Sequence, residues 1–264
     1  MGWLSSKLRG DRNPIHAEDS DDDTDLKQAI NTGQISSNAQ LDSTADLPLL
    51  SGTDLQVRYE IGLAGRLSTN LVVKRLEAPA TWITQYWIKI SEWKKEPDFV
   101  FHDEHRAGPV IGSGVMRKRN HDMTLRIGGT GTLGDHQDGA LLAKVNQDKK
   151  YRDSGYTLKI PTSSGNGSRI YHFARTQSTA DGVKGFMGKL AFYNWLITNV
   201  RKETVGLYLE NTKGAISLTR GAFTINPNTL DGESDTLFVM LGLVAIMERA
   251  RRDLTLATTI AASA

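Results

Sequence analysis

Short segments in which hydrophobic and polar residues alternate make up most of the chain after residue 56. Residues 57–61 and 123–127 are clear examples, since every second side chain is apolar. A period of two places these apolar side chains on one face of a β-strand. The same reasoning predicts further strands over residues 82–90, 98–101, 110–116, 141–145, 156–160, 170–173, 184–192, 195–200, 205–209, 216–219 and 222–225.

Clusters of turn-forming residues separate these segments. Residues 106–109 contain Gly and Pro, and residues 163–167 are rich in Ser, Gly and Asn. No long helical pattern interrupts the series of strands before residue 235. The strand lengths and spacing therefore predict a mainly β domain, built as an antiparallel barrel or sandwich rather than as alternating strands and helices.

One segment near the C-terminus has a different pattern. Residues 235–247 read DTLFVMLGLVAIM, which predicts a helix without a polar face, and Asp235 is a suitable N-cap. Its apolar part extends roughly 18 Å, well short of the roughly 20 residues that cross a bilayer. Charged residues from Glu248 onward mark the end of the apolar run. We therefore predict a buried helix over residues 235–253, surrounded by a sheet.

Composition changes near residue 55. Residues 13–54 are poor in aromatic side chains and rich in Asp, Ser, Thr, Asn and Gln, which predicts an acidic, disordered leader. Residues 1–55 contain four basic and ten acidic residues, a formal charge of −6, so residues 56–264 carry +8 within the total of +2. We expect one basic folded domain over residues 55–255, followed by a short C-terminal tail at residues 256–264.

The sequence contains no recognisable catalytic or metal-binding motif. The absence of cysteine excludes disulfides, thiolate metal sites and cysteine nucleophiles. Residues 129–134 have the glycine spacing of a dinucleotide loop, but no helical pattern follows to hold a pyrophosphate. Residues 102–105, HDEH, include potential metal ligands, although a polar turn between two strands is the simpler interpretation. We expect a protein that is not an enzyme and uses no metal or cofactor.

Ser20 lies within a dense acidic tract at residues 18–25. The tract lacks the turn glycine and the terminal glutamate of a calcium-binding loop. A solvated acidic segment is one interpretation, and a phosphorylation switch at Ser20 is another. Phosphate at this position would only deepen the existing negative charge.

The first nine residues combine a lipidation pattern with membrane-seeking side chains. Gly2 and Ser6 satisfy the myristoylation pattern, although Trp3 is a disfavoured residue directly after the acceptor glycine. Even without lipid, apolar anchors stand beside basic residues, as an anionic membrane surface favours. These residues are Trp3, Leu4, Lys7 and Arg9. The alternatives are lipidation within residues 1–12, unmodified membrane contact, and an N-terminus without a membrane role.

Two groups of elements also match a known family in their order. A strand at residues 98–103 turns straight back into residues 110–114, and residues 195–198, 205–208 and 214–218 precede the apolar helix. This order resembles the tubby C-terminal fold, which is shared with plant LURP-one-related proteins and the phospholipid scramblases, and it looks most like fungal members. The resemblance implies a closed antiparallel barrel of about twelve strands around the hydrophobic C-terminal helix, over residues 56–255.

Basic clusters are the main indication of function. Strand alternation points Arg117 and Arg119 to one face, where two guanidinium groups can share a phosphate, with Lys118 nearby. Tubby proteins bind phosphoinositides through a basic patch, so the resemblance implies an anionic phospholipid partner. We expect no nucleic-acid partner, because stacking aromatics are missing beside this triplet. The sequence identifies no protein partner.

We therefore predict a non-catalytic, membrane-associated binding module. No secretory signal core follows the first basic residues, so we expect a cytoplasmic protein that is peripheral to the inner face of a membrane. Two other functions stay open. One is scramblase-like lipid transport, which the third branch of the family implies, and the other is a structural role like that of a viral matrix protein.

Overall fold

The structure is a computed structural model. It describes nine stretches of the chain, namely residues 56–91, 97–117, 122–128, 141–148, 155–162, 167–184, 193–211, 218–232 and 234–263, apart from the side chains of 257 and 259–263. The chain divides into two compact units, Met1–Ser43 and Thr44–Ala264. All the described residues belong to the second unit.

Twelve antiparallel strands of the described residues form a closed barrel. Each strand pairs with the next along the chain, and the first pairs with the last, so the barrel has no open edge. The strands are β1 (Val57–Leu63), β2 (Leu71–Ala78), β3 (Thr81–Ile90), β4 (Phe99–Asp103), β5 (Val110–Met116), β6 (Met123–Ile127), β7 (Leu141–Asp148), β8 (Gly155–Pro161), β9 (Ser168–Arg175), β10 (Trp195–Asn199), β11 (Thr204–Glu210) and β12 (Thr219–Ile225).

One long helix follows the barrel strands. It is α1, Asp235–Ser263, and two short 3-10 helices lie at Thr179–Asp181 and Pro227–Thr229. β12 is antiparallel to β1, so it ends at the end of the barrel where β1 and the other odd-numbered strands begin. We call this the start end, and α1 begins there. The opposite end, where α1 leaves the barrel, is called the exit end.

The first half of α1 fills the barrel interior. Side chains from Phe238 to Ile246 are fully buried, with no exposed surface. A barrel of this size encloses more space than side chains from the strands alone can fill, and α1 occupies that space. The helix approaches β5 closely, since a Cβ at Gly112 would lie 3.0 Å from Leu241 Cδ1. The predicted closed barrel around a hydrophobic C-terminal helix is therefore confirmed.

A buried ion pair fixes α1 at the start end. The carboxylate of Asp235, the first helical residue, is completely buried. Arg169 at the beginning of β9 donates to it through Nε at 2.8 Å, and the hydroxyl of Tyr171 donates at 2.5 Å. The same hydroxyl accepts from the backbone N–H of Asp231 at 3.2 Å. These bonds connect the helix start to the inside of β9.

A second buried network fixes α1 at the exit end. Arg252 donates to Glu248 one turn earlier and to Asp98 just before β4. The other carboxylate oxygen of Asp98 accepts from the backbone N–H of Met116 at 2.7 Å. Arg252 also donates to the carbonyl of Ser91 at 3.0 Å. Each of these buried charged groups therefore has an opposite charge or a polar partner at the point where α1 emerges from the barrel, which offsets the cost of burying it.

Several elements differ from those predicted. The sequence pattern did not reveal β2, because its residues do not alternate: Val72 is apolar on the outward face, and Arg75 is charged on the inner face, opposite Tyr59. The two segments predicted at residues 216–219 and 222–225 meet in one strand, β12, while residues 216 and 217 lie outside the described residues. Of the strand predicted over residues 184–192, only Lys184 is described, and it is not in a strand. The helix continues ten residues beyond 253.

Candidate anion-binding surface

Most of the site residues predicted from sequence lie outside the described residues. These are Gly2, Trp3, Leu4, Lys7 and Arg9 at the N-terminus, Ser20 in the acidic tract, and Lys118 and Arg119 of the basic triplet. Arg117 is described, directly after β5, and it is exposed. Among the described residues, no group of three or more His, Asp or Glu side chains is placed to hold a metal ion.

Arg117 occupies a fixed position at the exit end. Its backbone N–H donates to the carbonyl of Asp122 at 2.9 Å across the β5–β6 hairpin. Its own carbonyl accepts from Nη1 of Arg249 on α1 at 3.0 Å. The preceding residue, Met116, is buried in the core, so strand alternation directs the Arg117 side chain outward. The start of the hairpin is thus fastened to the helix while the guanidinium is exposed.

The outer surface of the neighbouring strands contains an unexpected pair of lysines. Lys144 on β7 stands directly opposite Lys159 on β8. Both lysines are exposed and face outward. Lys144 lies between the buried Ala143 and Val145, and Lys159 lies between the buried Leu158 and Ile160. Directly opposite residues have Cβ atoms about 5 Å apart, a spacing at which like charges destabilise a sheet. Neither lysine forms an ion pair with another described residue.

Neutral hydrogen-bonding side chains surround the two lysines. Thr124 on β6 lies opposite Lys144, and Asn146 and Thr157 form the next outward pair towards the exit end. The hydroxyl of Thr157 lies 3.2 Å from Nδ1 of the exposed His172 on β9. We call the outward residues of this surface the basic wall: Thr124, Leu142, Lys144, Asn146, Thr157, Lys159 and His172.

The basic wall is almost free of carboxylates. Asp148 at the end of β7 is the one acidic residue at an outward strand position between β6 and β9, and it points out at the exit end. At the other end of β7, Leu142 is 52% exposed and stands opposite Arg126. Arg117 follows β5, which pairs with β6, so it lies at the exit-end corner of the same side of the barrel. The surface therefore offers positive charge, neutral donors and one exposed aliphatic side chain.

Sequence reasoning identified the corner of this surface but not its centre. The triplet at residues 117–119 is visible because its charges are contiguous. Lys144 and Lys159 are 15 positions apart, and each is a single lysine in an alternating strand. The alternation alone shows that each faces outward. Only the pairing of β7 with β8 places the two side by side.

His102, one of the potential metal ligands in residues 102–105, helps to hold a turn. Nδ1 of His102 donates to the carbonyl of Gly108 at 2.9 Å, which closes the turn between β4 and β5. Its ring packs edge-on against Trp87 on β3. The interpretation of this segment as a polar turn fits these contacts.

Comparisons with known proteins place the chain in no family. No protein-family model matches it, and a comparison with curated proteins finds no match. The resemblance to the tubby fold therefore stays a prediction. No helix in the part of the chain that the structure describes is long and apolar enough to span a membrane.

Proposed function

We propose that this domain is a non-catalytic module that binds the phosphorylated head groups of anionic phospholipids through the basic wall, with Arg117 at its corner. The observation that supports the proposal is the opposed pair Lys144 and Lys159, which has no acidic partner among the described residues. Two adjacent ammonium groups repel each other, and a phosphate bound between them removes that repulsion.

The chemistry around the pair suits a phosphate group. Each ammonium has three donors and no acceptor, and the hydroxyls of Thr124 and Thr157 supply further donors. The scarcity of carboxylates means that an approaching anion meets little repulsion. Each basic residue near an anionic membrane surface contributes about 1 kcal/mol, so two lysines and Arg117 together contribute about 3 kcal/mol.

Leu142 favours a membrane over a small soluble anion. A leucine that is 52% exposed beside a basic cluster can insert between head groups and bury its side chain. Charge distribution supports the same partner, since residues 56–264 carry a formal charge of +8. The proposed N-terminal contact through Trp3 and Leu4, or an acyl chain on Gly2, would provide the second signal that stable membrane attachment needs.

Vesicle co-sedimentation of the full-length protein tests the proposal. Vesicles of phosphatidylcholine with and without phosphatidylserine or phosphoinositide are compared at low and physiological salt. Lys144→Gln with Lys159→Gln should weaken binding to anionic vesicles by roughly thirtyfold, since two charges contribute about 2 kcal/mol together. Arg117→Gln should weaken binding to anionic vesicles about fivefold. Leu142→Ser should also weaken binding, and its effect should be the same at low and at physiological salt.

Two exposed lysines on the opposite side of the barrel, which do not stand opposite each other, provide the control. Lys74→Gln with Lys89→Gln removes the same charge from β2 and β3, where both residues are exposed. This variant should lose less than about threefold, because charges beyond a Debye length of about 10 Å are largely screened. Equal losses in the two double variants would show that binding depends on net charge alone and would contradict a site on the basic wall.

A further inference from the structure

A partly exposed tryptophan lies on the other side of the barrel, among three cationic side chains. Trp87 faces outward from β3, opposite Val72 on β2 and His102 on β4. Lys89, two residues further along the same strand, is exposed on the same face, and so is Lys74 on β2. Arg106, from the β4–β5 turn, places its guanidinium carbon 5.9 Å from the centre of the Trp87 ring.

The aromatic ring is held in place, whereas the arginine above it is free to move. His102 packs edge-on against Trp87, with ring centres 5.7 Å apart at 67°. The bond from Nδ1 of His102 to the carbonyl of Gly108 holds that imidazole. The turn itself is tight, because a Cβ at Gly108 would lie 1.9 Å from the carbonyl oxygen of Asp103. Arg106 is exposed, so its long side chain can swing away.

The three cations form no ion pair in the described part of the chain, although one of them faces an acidic residue across the sheet. Lys74, Lys89 and Arg106 form no ion pair with another described residue. Glu60 on β1 stands opposite Lys74, but it is 8% exposed and accepts from the hydroxyl of Thr219 at 3.1 Å. A stacking ring beside positive charge is the combination that binds unpaired bases and their phosphates.

We infer that this surface binds an unpaired nucleotide, with the base stacked on Trp87 beneath Arg106 and its phosphate on Lys89 or on Lys74, which flank the ring on opposite sides along the strands. Stacked planes lie about 3.4 Å apart, so a base between the two groups needs about 7 Å. The present separation of 5.9 Å requires Arg106 to withdraw by roughly an ångström. Arginine planes stack on bases in the same way as aromatic rings do.

A lipid bilayer fits this surface less well than a nucleotide does. Among the described residues, no large aliphatic side chain on β2 to β5 is exposed; the exposed ones lie elsewhere in the domain. The aliphatic neighbours of the ring, Val72, Val100 and Val110, are only partly exposed. Base and phosphate can come from a free nucleotide or from a single strand of nucleic acid, and the two sources share the chemistry proposed here.

The experiment measures fluorescence anisotropy of a labelled ten-nucleotide oligothymidine with the full-length protein at low salt, with ATP as a competitor. Trp87→Leu should weaken oligonucleotide binding about tenfold, because stacking on one aromatic ring contributes that much. Trp87→Phe should recover most of the loss. Lys74→Gln with Lys89→Gln should weaken binding about tenfold and make it less dependent on salt.

Trp82→Leu is the matched control, since Trp82 is also partly exposed on β3 but lies five residues away. It should leave binding unchanged. Competition by ATP at submillimolar concentration identifies a free nucleotide as the ligand, and no competition identifies a single strand. Absence of oligonucleotide and ATP binding, or equal binding by wild type and Trp87→Leu, overturns the inference. The inference is also overturned if Trp87→Leu loses binding to vesicles rather than to the oligonucleotide, because the ring would then be a membrane contact.

Discussion

Asp235 shows how a single side chain connects the two parts of the core. It is buried at the start of α1, and Arg169 and Tyr171 from β9 both donate to it. The hydrogen bond to Asp235 raises the pKa of Arg169, and burial, followed by the same carboxylate, raises the pKa of Tyr171. Both shifts keep the donors protonated. Both donors of this network therefore stay protonated well above neutral pH.

Asp235→Ala should lower the free energy of unfolding by about 3–5 kcal/mol, because it leaves Arg169 beside a core without its partner. Glu77→Ala is the control, since it removes the partner of Arg75 in an ion pair whose side chains are 39% and 44% exposed. That change should cost less than about 1 kcal/mol. Urea denaturation of both variants gives the comparison, and similar losses would mean that burial does not distinguish the two pairs.

α1 is an element with two environments on one helix. Leu243 is fully buried in the barrel, whereas Leu254, three turns later, is 55% exposed beyond the exit end. Leu243→Ala should cost about 2–5 kcal/mol, as the lost methyl groups leave a cavity in a closed core. Leu254→Ala should change stability by less than about 0.5 kcal/mol. Chemical denaturation measures both, and a large effect at Leu254 would indicate that this turn is covered in solution.

Leu241→Asp is a stronger test of the same element. Leu241 is completely buried and lies so close to Gly112 of β5 that a Cβ there would be 3.0 Å from its Cδ1. An uncompensated carboxylate there costs several kcal/mol, on the order of the stability of a whole domain. We expect no cooperative thermal transition for this variant by circular dichroism. A wild-type melting temperature would contradict a helix enclosed by the barrel.

The barrel as a whole should lose stability in alkali. Burial raises the pKa of Tyr86 to about 12, with smaller contributions from Tyr59 and Asp103. Burial also raises the pKa of the other described tyrosines: Tyr59, Tyr156, Tyr171, Tyr193 and Tyr208. In the unfolded chain tyrosines ionise near pH 10, so above that pH the unfolded state binds fewer protons than the folded state.

The stability contributed by these tyrosines should therefore be fully present below about pH 10 and decline as pH rises through 10 to 12. Absorbance of tyrosinate and circular dichroism, recorded in one titration, should change together. Tyrosine ionisation near pH 10 without loss of structure would show that the rings are accessible to solvent in the folded barrel.

A prediction for the whole molecule concerns residues outside the described part of the chain. We predict that the first residues localise the protein, since Gly2 fits an acylation pattern and Trp3 stands near Lys7. Intact-mass measurement after co-expression with a myristoyl transferase decides whether Gly2 carries lipid. Membrane sedimentation of Gly2→Ala and Trp3→Ala separates an acyl chain from an aromatic anchor, and pelleting equal to wild type for both variants would end this proposal.

Local periodicity determined much of the architecture. Strict alternation in β1, β6 and β8 predicts strands, and the unbroken apolar run after Asp235 predicts an enclosed helix. These signals are readable because burial depends on which side of a strand or helix a residue occupies, and that follows from its position in the element. β2 was missed because an apolar outward residue, Val72, and a charged inward residue, Arg75, break the alternation of its sequence.

Tertiary structure alone decided the candidate sites. Lys144 faces Lys159 only through the register of β7 and β8, and Arg106 reaches Trp87 only because the β4–β5 turn folds back beside β3. The expectation that stacking aromatics are missing considered only neighbours of residues 117–119 in the sequence. The sequence by itself determined which side chains face out, since alternation is a local property. Which of them become neighbours depends on strand pairing, which is a property of the whole closed barrel.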